Sequence, residues 1–412
     1  MKNNLSLKNF IHRKHLETNS VRVFTKKYSK ILIETRKDIF KPKKTLNVLN
    51  KKYFSNFKFG ELRKLKKFKT IVLIGMGGSI LGSQAIYNFL NKKIKKKLYF
   101  FDDLNENNII SYKKKEKLSN TLFIIISKSG NTVETLSNTF SLDLFKKGQK
   151  NIIIISEKKN NLLFNLAKKF NLFYIEHKNY IGGRYSVLSE VGVIPAYLMG
   201  INIKRLRLEI ADIFKIKNQK FLKESTIKLA SVIKKNKINN LIFLNYSPEL
   251  EKFLYWLQQL VAESLGKNNK GFLPVISSTP KDHHSLLQLY LDGPKDKIFN
   301  IFSLEQKSNI KIKIENKIDS KNILNNSFLN EIKNAQKKAL INIFIKKKIP
   351  FREFKIKTRD EKVLGKLFSY FMVETIIIGK LLKINPFDQP AVEQVKIETK
   401  KILLNKLSKN NF

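Results

Sequence analysis

From Phe68 onward the chain repeats one pattern: a short run rich in β-branched residues, a turn, then a segment of helical length and period. The runs at 70–74 (TIVLI), 98–101, 121–126 (TLFIII), 151–155 and 172–175 are almost continuously apolar and do not alternate. A strand that is apolar on both faces must be covered on both, which is the environment of a parallel sheet between two helix layers. Right-handed crossovers then make this stretch a doubly wound α/β unit. After a mostly helical stretch at 204–235, a second series begins with a strand at 240–244 and a helix at 248–265. It adds strands at 298–303 and 351–357 and a helix at 361–382. The pattern predicts two similar α/β units of ordinary domain size. We divide the chain into a basic, helical or extended arm (1–65), a first unit (66–203), a helical connection (204–236), a second unit (237–384) and a C-terminal turn and helix (385–412).

Composition limits what such units do. There are 81 Lys+Arg against 33 Asp+Glu, a formal net charge of +48, yet 42% of residues are hydrophobic, too many for a disordered polycation. The absence of Cys excludes a disulfide framework, a thiolate metal site, an iron–sulfur cluster and a cysteine nucleophile, and it fits a cytoplasmic protein. Strong basic charge is the footprint of a nucleic-acid binder. Here, however, the runs at 91–97 (NKKIKKK) and 113–117 (KKKEK) read as solvated surface in a chain saturated with Lys, Asn, Ile and Phe, so no nucleic-acid partner is expected. The N-terminus lacks the continuous apolar run of a secretory signal. The most apolar stretch, 70–90, is broken by Gly75, Gly77, Gly78, Gly82, Gln84 and Asn88, so no membrane span is expected.

Ligands of open parallel sheets bind beyond the carboxyl ends of the strands, so the turns there matter most. After 70–74 comes GMGGSILG. Ile80 stands where a dinucleotide fingerprint needs its third glycine, and Ser83 where an ATP-binding loop needs lysine, although Asp102 and Asp103 end the next strand where a ribose-binding acid would sit. Gly78 and its neighbours let the backbone approach an anion and Ser79 adds a hydroxyl; a tight strand-to-helix turn accounts for them equally well. After 121–126 comes SKSGNTVET. Ser127, Ser129 and Thr132 supply hydroxyls, Gly130 permits a left-handed turn, and a helix starting near Asn131 points free N–H groups into the same loop. That combination suits a phosphate dianion, with Lys128 adding charge. A Ser/Asn-capped helix start is the alternative.

Groups for proton chemistry are few. Gln259 and Glu263 stand at i, i+4 on one face of the helix at 248–265, near the end where Gly266 stops it. A carboxylate at the edge of an apolar surface suits a general base; a surface pair with Lys267 is the alternative. None of the five histidines (His12, His15, His177, His283, His284) has zinc-ligand spacing near carboxylates, so no metal is expected. His283 and His284 share a loop after Pro280, where one of them could act as acid or base. Arg184 follows Gly182-Gly183, a setting for backbone and charge to approach one ligand; a salt bridge to Glu190 is the alternative. The sequence NPFDQP at 385–390 makes a rigid turn before Glu393 and Lys396 on a last helix.

Six segments in order, GMGGSILG, SKSGNTVET, GGRYSVLSEVG, WLQQLVAESLGK, DHHSLLQLYLDGP and NPFDQPAVEQVK, resemble the phosphoglucose isomerase family over about 71–396. The resemblance implies two sugar-isomerase (SIS) domains, each a three-layer α/β/α unit with a mainly parallel sheet. It further implies a homodimer with sites at the interface, and no metal or organic cofactor. The implied reaction is reversible isomerisation of glucose 6-phosphate and fructose 6-phosphate through a cis-enediolate, in glycolysis and gluconeogenesis. It places the sugar phosphate against Gly78, Ser79, Ser127, Lys128, Ser129 and Thr132. Glu263 becomes the base between C2 and C1, and Arg184 the stabiliser of the enediolate. Gln259 and Gln389 line the sugar, while Lys396 and His284 of the partner subunit assist ring opening. Leu286, Ala391 and Val395 depart from the pattern, where Gln stands often at the first and Gly at the other two. An isomerase that also accepts mannose 6-phosphate and a non-catalytic sugar-phosphate sensor are the alternatives.

Overall fold

The computed structural model describes residues 4–54, 58–146, 148–306, 308–314 and 322–409. β1 (Leu5–Phe10) and α1 (Thr18–Lys37) come first. The first unit runs through β2 (Thr70–Ile74), α2 (Leu81–Leu90), β3 (Lys97–Phe101), α3 (Glu106–Lys115), β4 (Thr121–Ile126) and α4 (Val133–Ser141). It continues with β5 (Ile152–Ser156), α5 (Leu162–Lys169), β6 (Phe173–Glu176) and α6 (Glu190–Leu198). After α7 (Ile203–Arg207) and α8 (Ile216–Lys235), the second unit takes β7 (Asn240–Asn245), α9 (Glu251–Leu265), β8 (Leu273–Ser278) and α10 (Leu287–Leu291). β9 (Lys297–Leu304), α11 (Leu329–Lys346), β10 (Phe351–Ile356) and α12 (Glu361–Leu382) complete it, and α13 (Pro390–Lys409) follows.

The first sheet has the order β3-β2-β4-β5-β6, parallel throughout, with β4 at its centre. β2, β4 and β5 are buried along their whole length, which is why their sequences do not alternate. Successive side chains still point to opposite faces: Ile71, Leu73, Leu122 and Ile124 enter one core cluster, and Val72, Ile74, Phe123 and Ile125 the other. Two separate helix layers therefore cover the sheet. The second sheet has the order β1-β10-β9-β7-β8, parallel except for β1, which pairs antiparallel with β10. The N-terminal stretch thus joins the second unit, and α1 packs on α8 and α12.

Two strands stand outside the expected set. β8 carries Pro274 and ends in two serines, and β1 reads LSLKNF. Both are edge strands, where a missing ladder hydrogen bond and a half-solvated face are tolerated, so neither shows the apolar run that marks a central strand. The helix expected at 248–265 opens as a 3-10 turn, Pro248–Leu250, before α9.

α9 decides how the site is built. Although it belongs to the second unit, it packs on α2 of the first, and the largest core cluster is continuous across both. Its anchor is Trp256, 1% exposed and in ring contact with Phe253 and Phe368. Truncating such a side chain costs about 3–5 kcal/mol. Among the described residues no helix is long and apolar enough to cross a membrane.

Candidate active site

The turns after β2 and β4 lie side by side: a Cβ on Gly75 would stand 2.9 Å from the Ile126 carbonyl oxygen. The β2 turn is also pressed against the loop carrying Arg184. A Cβ on Gly78 would fall 2.1 Å from the carbonyl carbon of Gly183, a separation only glycine allows. The Ser186 hydroxyl ties the two loops by bonds to the carbonyls of Gly183 (2.7 Å) and Gly78 (3.2 Å). α9 closes a third side, since a Cβ on Gly77 would meet the Gln259 amide nitrogen at 2.8 Å. Trp256 Nε1 donates to the Arg184 carbonyl at 3.1 Å, fixing the loop backbone.

Arg184 occupies the junction and is 1% exposed. A guanidinium has five N–H donors, and here five acceptors surround it. Nε donates to Ser264 Oγ (2.8 Å). Nη2 donates to the carbonyls of Pro386 (2.7 Å) and Asp388 (3.0 Å). Nη1 donates to Glu263 Oε2 (3.0 Å) and Gln389 Oε1 (2.6 Å). Glu263 receives its second bond, on Oε1, from Gln259 Nε2 at 2.9 Å. The i, i+4 pair on α9 thus acts as one unit, with the amide orienting the carboxylate. Neither local alternative is realised. Arg184 pairs with Glu263, while Glu190 takes a bond from the Tyr53 hydroxyl (2.9 Å) and Lys267 pairs with Asp388 (2.7 Å). The last pair, with a bond from Lys267 to the Asn385 carbonyl, clamps the C-terminal turn to the end of α9. The hydrogen bond it receives from Lys267 holds the Asp388 carboxyl below its ordinary range.

The β4 turn has the geometry its residues suggest. Gly130 sits at φ +70°, and a Cβ there would collide with Asn161 at 1.8 Å. Ser127 and Thr132 hydroxyls lie 2.8 Å apart, Ser129 is 3.4 Å from Thr132, and Ser127 Oγ accepts from Gly130 N–H. Thr132 precedes α4 without capping it through its side chain, so the first N–H groups of that helix face the loop. Lys128 reaches the other way: its ammonium donates to the Asn179 carbonyl (2.8 Å) and lies 3.8 Å from Glu157. Burial pulls its pKa down, opposed by Glu157. Ser79 is half-buried in the β2 turn, its backbone N–H bonded to Met76.

Two of the expected residues are not brought to this cluster within one chain. Lys396 is exposed on α13 and pairs with Glu393 at 2.7 Å. His284 is exposed and its imidazole makes no hydrogen bond among the described residues, whereas His283 Nε2 is bound to the Tyr246 hydroxyl at 2.8 Å. Sequence reasoning missed Ser264 and Tyr185, and considered Lys267 only as a surface partner of Glu263. Each stands beside a chosen residue in the same segment, but nothing in the spacing shows which backbone carbonyls or hydroxyls a buried guanidinium will find.

A family model described as "Phosphoglucose isomerase" matches residues 25–411. A protein of Campylobacter jejuni named glucose-6-phosphate isomerase is 34% identical over 358 residues, 81% of this chain and 85% of that protein. One of the same name from Methanocaldococcus jannaschii is 32% identical over 351 residues, 81% and 84% of the two chains. Among solved structures, a hypothetical protein from Thermus thermophilus superposes with a TM-score of 0.80 at 23% identity, covering 97% of this chain and all of that one. A glucose-6-phosphate isomerase from Chlamydia trachomatis superposes at 0.67 and 20% identity, covering 84% and 71%. These two likenesses carry the fold.

Proposed function

The chain belongs to the phosphoglucose isomerase family, and from that premise we propose that it interconverts glucose 6-phosphate and fructose 6-phosphate with Glu263 as the base. The observation that carries the assignment is the junction of Glu263 with the buried Arg184, where Nη1 is shared between the carboxylate and Gln389. In the open-chain aldose, Glu263 takes the proton from C2 and returns it to C1. The charge that develops on the enediolate oxygens is met by Nη1 of Arg184, which exchanges its bond to Gln389 for one to the substrate while the rest of the guanidinium is held in place before the reaction begins. Gln259 steadies the carboxylate between the two proton positions. The phosphate is held by the hydroxyls of Ser127, Ser129 and Thr132 and the first N–H groups of α4, with Gly78 and Ser79 closing the β2 side. Binding the non-reacting phosphate keeps C1 and C2 in register with the base. The bond of the half-buried Lys128 to the Asn179 carbonyl favours a role in setting the potential of the turn over direct contact.

Ring opening falls to His284 of the partner subunit and to Lys396, in a homodimer. Both are exposed on the isolated chain, which agrees with groups that meet the ring only after assembly or closure. We assign the enzyme to the cytoplasm and to glycolysis and gluconeogenesis. The test is to supply the purified protein with fructose 6-phosphate and to couple product to glucose-6-phosphate dehydrogenase, with mannose 6-phosphate in a parallel arm. Steady NADP reduction from fructose 6-phosphate supports the reading. Turnover of both sugars extends it to the mannose isomer, and turnover of neither replaces it with a non-catalytic sensor.

A further inference from the structure

We propose that Ser264 is a positioning residue for the reaction: its hydroxyl fixes the plane of the Arg184 guanidinium so that Nη1 meets the developing enediolate. This rests on the reading that Arg184 stabilises that charge. Three of the five acceptors around Arg184, namely Ser264 Oγ and the carbonyls of Pro386 and Asp388, lie on its Nε and Nη2 edges and bear no charge. They hold the group. The remaining edge, Nη1, faces Glu263 and Gln389. Because a guanidinium is planar and rigid, fixing Nε and Nη2 determines where Nη1 points.

The proton positions around Ser264 are settled by elimination. The Tyr185 hydroxyl donates to the Pro386 carbonyl at 3.0 Å, an oxygen with no proton to give. In its 2.9 Å contact with Ser264, Tyr185 is therefore the acceptor, and Ser264 donates to it. Ser264 in turn accepts from Arg184 Nε. Since Pro386 also receives Arg184 Nη2, the bonds close a ring through Arg184, Ser264, Tyr185 and Pro386. Ser264 is fully buried, so it acts on substrate only through Arg184. It also follows Glu263 directly on α9, about 100° further around the helix, so that base and clamp share one rigid turn.

The test separates charge development from phosphate binding. Ser264→Ala removes one oxygen and leaves a buried guanidinium donor unpaired. It should lower kcat about tenfold while KM stays within about twofold. Two probes read the same split. Affinity for 5-phosphoarabinonate, whose carboxylate places charge where the enediolate forms, should fall by about the same factor, while sorbitol 6-phosphate, with a neutral head, should bind as it does to the unaltered protein. Ser264→Thr, which keeps the hydroxyl, should restore most of kcat. Should the extra methyl prevent folding, Tyr185→Phe probes the ring from its other side and should lower kcat about threefold with the same division between the probes. Unchanged kcat in Ser264→Ala, or equal weakening of both probes, overturns the proposal. An inactive Arg184→Ala beside a normal Ser264→Ala removes only the positioning role; near-normal turnover in Arg184→Ala removes the role of Arg184 itself.

Discussion

Arg184 and Lys396 are the two cations assigned to one reaction, and they sit at opposite extremes. The Arg184 side chain is 1% exposed with all five donors engaged; that of Lys396 is 60% exposed and, among the described residues, bonded only to Glu393 on its own helix. The same division separates Glu263, held between two donors, from His284, whose ring makes no hydrogen bond among the described residues. On the proposed assignment, the site has an inner half that one chain completes and an outer half that it leaves open. Physical chemistry favours that order. Stabilising a developing charge is most effective from fixed dipoles in a dry site, whereas groups that open a ring must first let the ring enter. Glycine contacts at Gly77 and Gly78 weld the inner half together, whereas residues 391–400 around Lys396 on α13 are all exposed.

Four expected results test this division, from the largest effect to the smallest. His177 at the end of β6 belongs to the buried scaffold near Lys128, and burial pushes its pKa down from 6.5 to about 4. As pH falls the unfolded chain takes up that proton first, so the stability contributed by neutral His177 is full above the ordinary histidine value and is lost toward pH 4. The shift corresponds to about 3 kcal/mol. Unfolding midpoints measured from neutral to acid pH should fall across that window, and His177→Gln should flatten the curve; an unflattened curve places the titration elsewhere. For the outer half, His284→Ala and Lys396→Ala should each lower turnover of cyclic fructose 6-phosphate by roughly 10²-fold. Deuterium uptake at C1 and C2 of the open-chain form should continue near its normal rate. Loss of that exchange would merge the two halves into one.

For the phosphate turn, Ser127→Ala combined with Thr132→Ala should raise KM about tenfold with kcat little changed. An unaltered KM would put the phosphate elsewhere. Smallest is the field of the whole chain. With a net charge of +48, kcat/KM for a dianionic sugar phosphate should fall about twofold to threefold as salt rises through the physiological range. Insensitivity to ionic strength would leave the charge with no part in substrate capture.

The inner strands were readable because burial on both faces leaves an unbroken apolar run, as in TLFIII of β4. β1 and β8 were not, because edge strands need no such run, and Pro274 in β8 argues locally against a strand. The site shows the same contrast. Glu263 and Gln259 could be paired from helical spacing alone, but Lys267 stood equally near Glu263 and instead pairs with Asp388, from a turn more than a hundred residues away. The bonds from Arg184 to the Pro386 and Asp388 carbonyls depend on backbone position, which side-chain identity does not encode. Ser264 was hidden for a related reason: a buried serine after a glutamate on a helix looks like packing until the guanidinium beside it is seen.

The central claim is that Glu263, within the preassembled inner half, moves the proton. Glu263→Gln keeps the shape and an oxygen for Arg184 but removes the base. Its kcat for fructose 6-phosphate should fall by roughly 10³-fold or more, with sorbitol 6-phosphate binding within about threefold of the unaltered protein. Near-normal turnover by that variant would contradict the account.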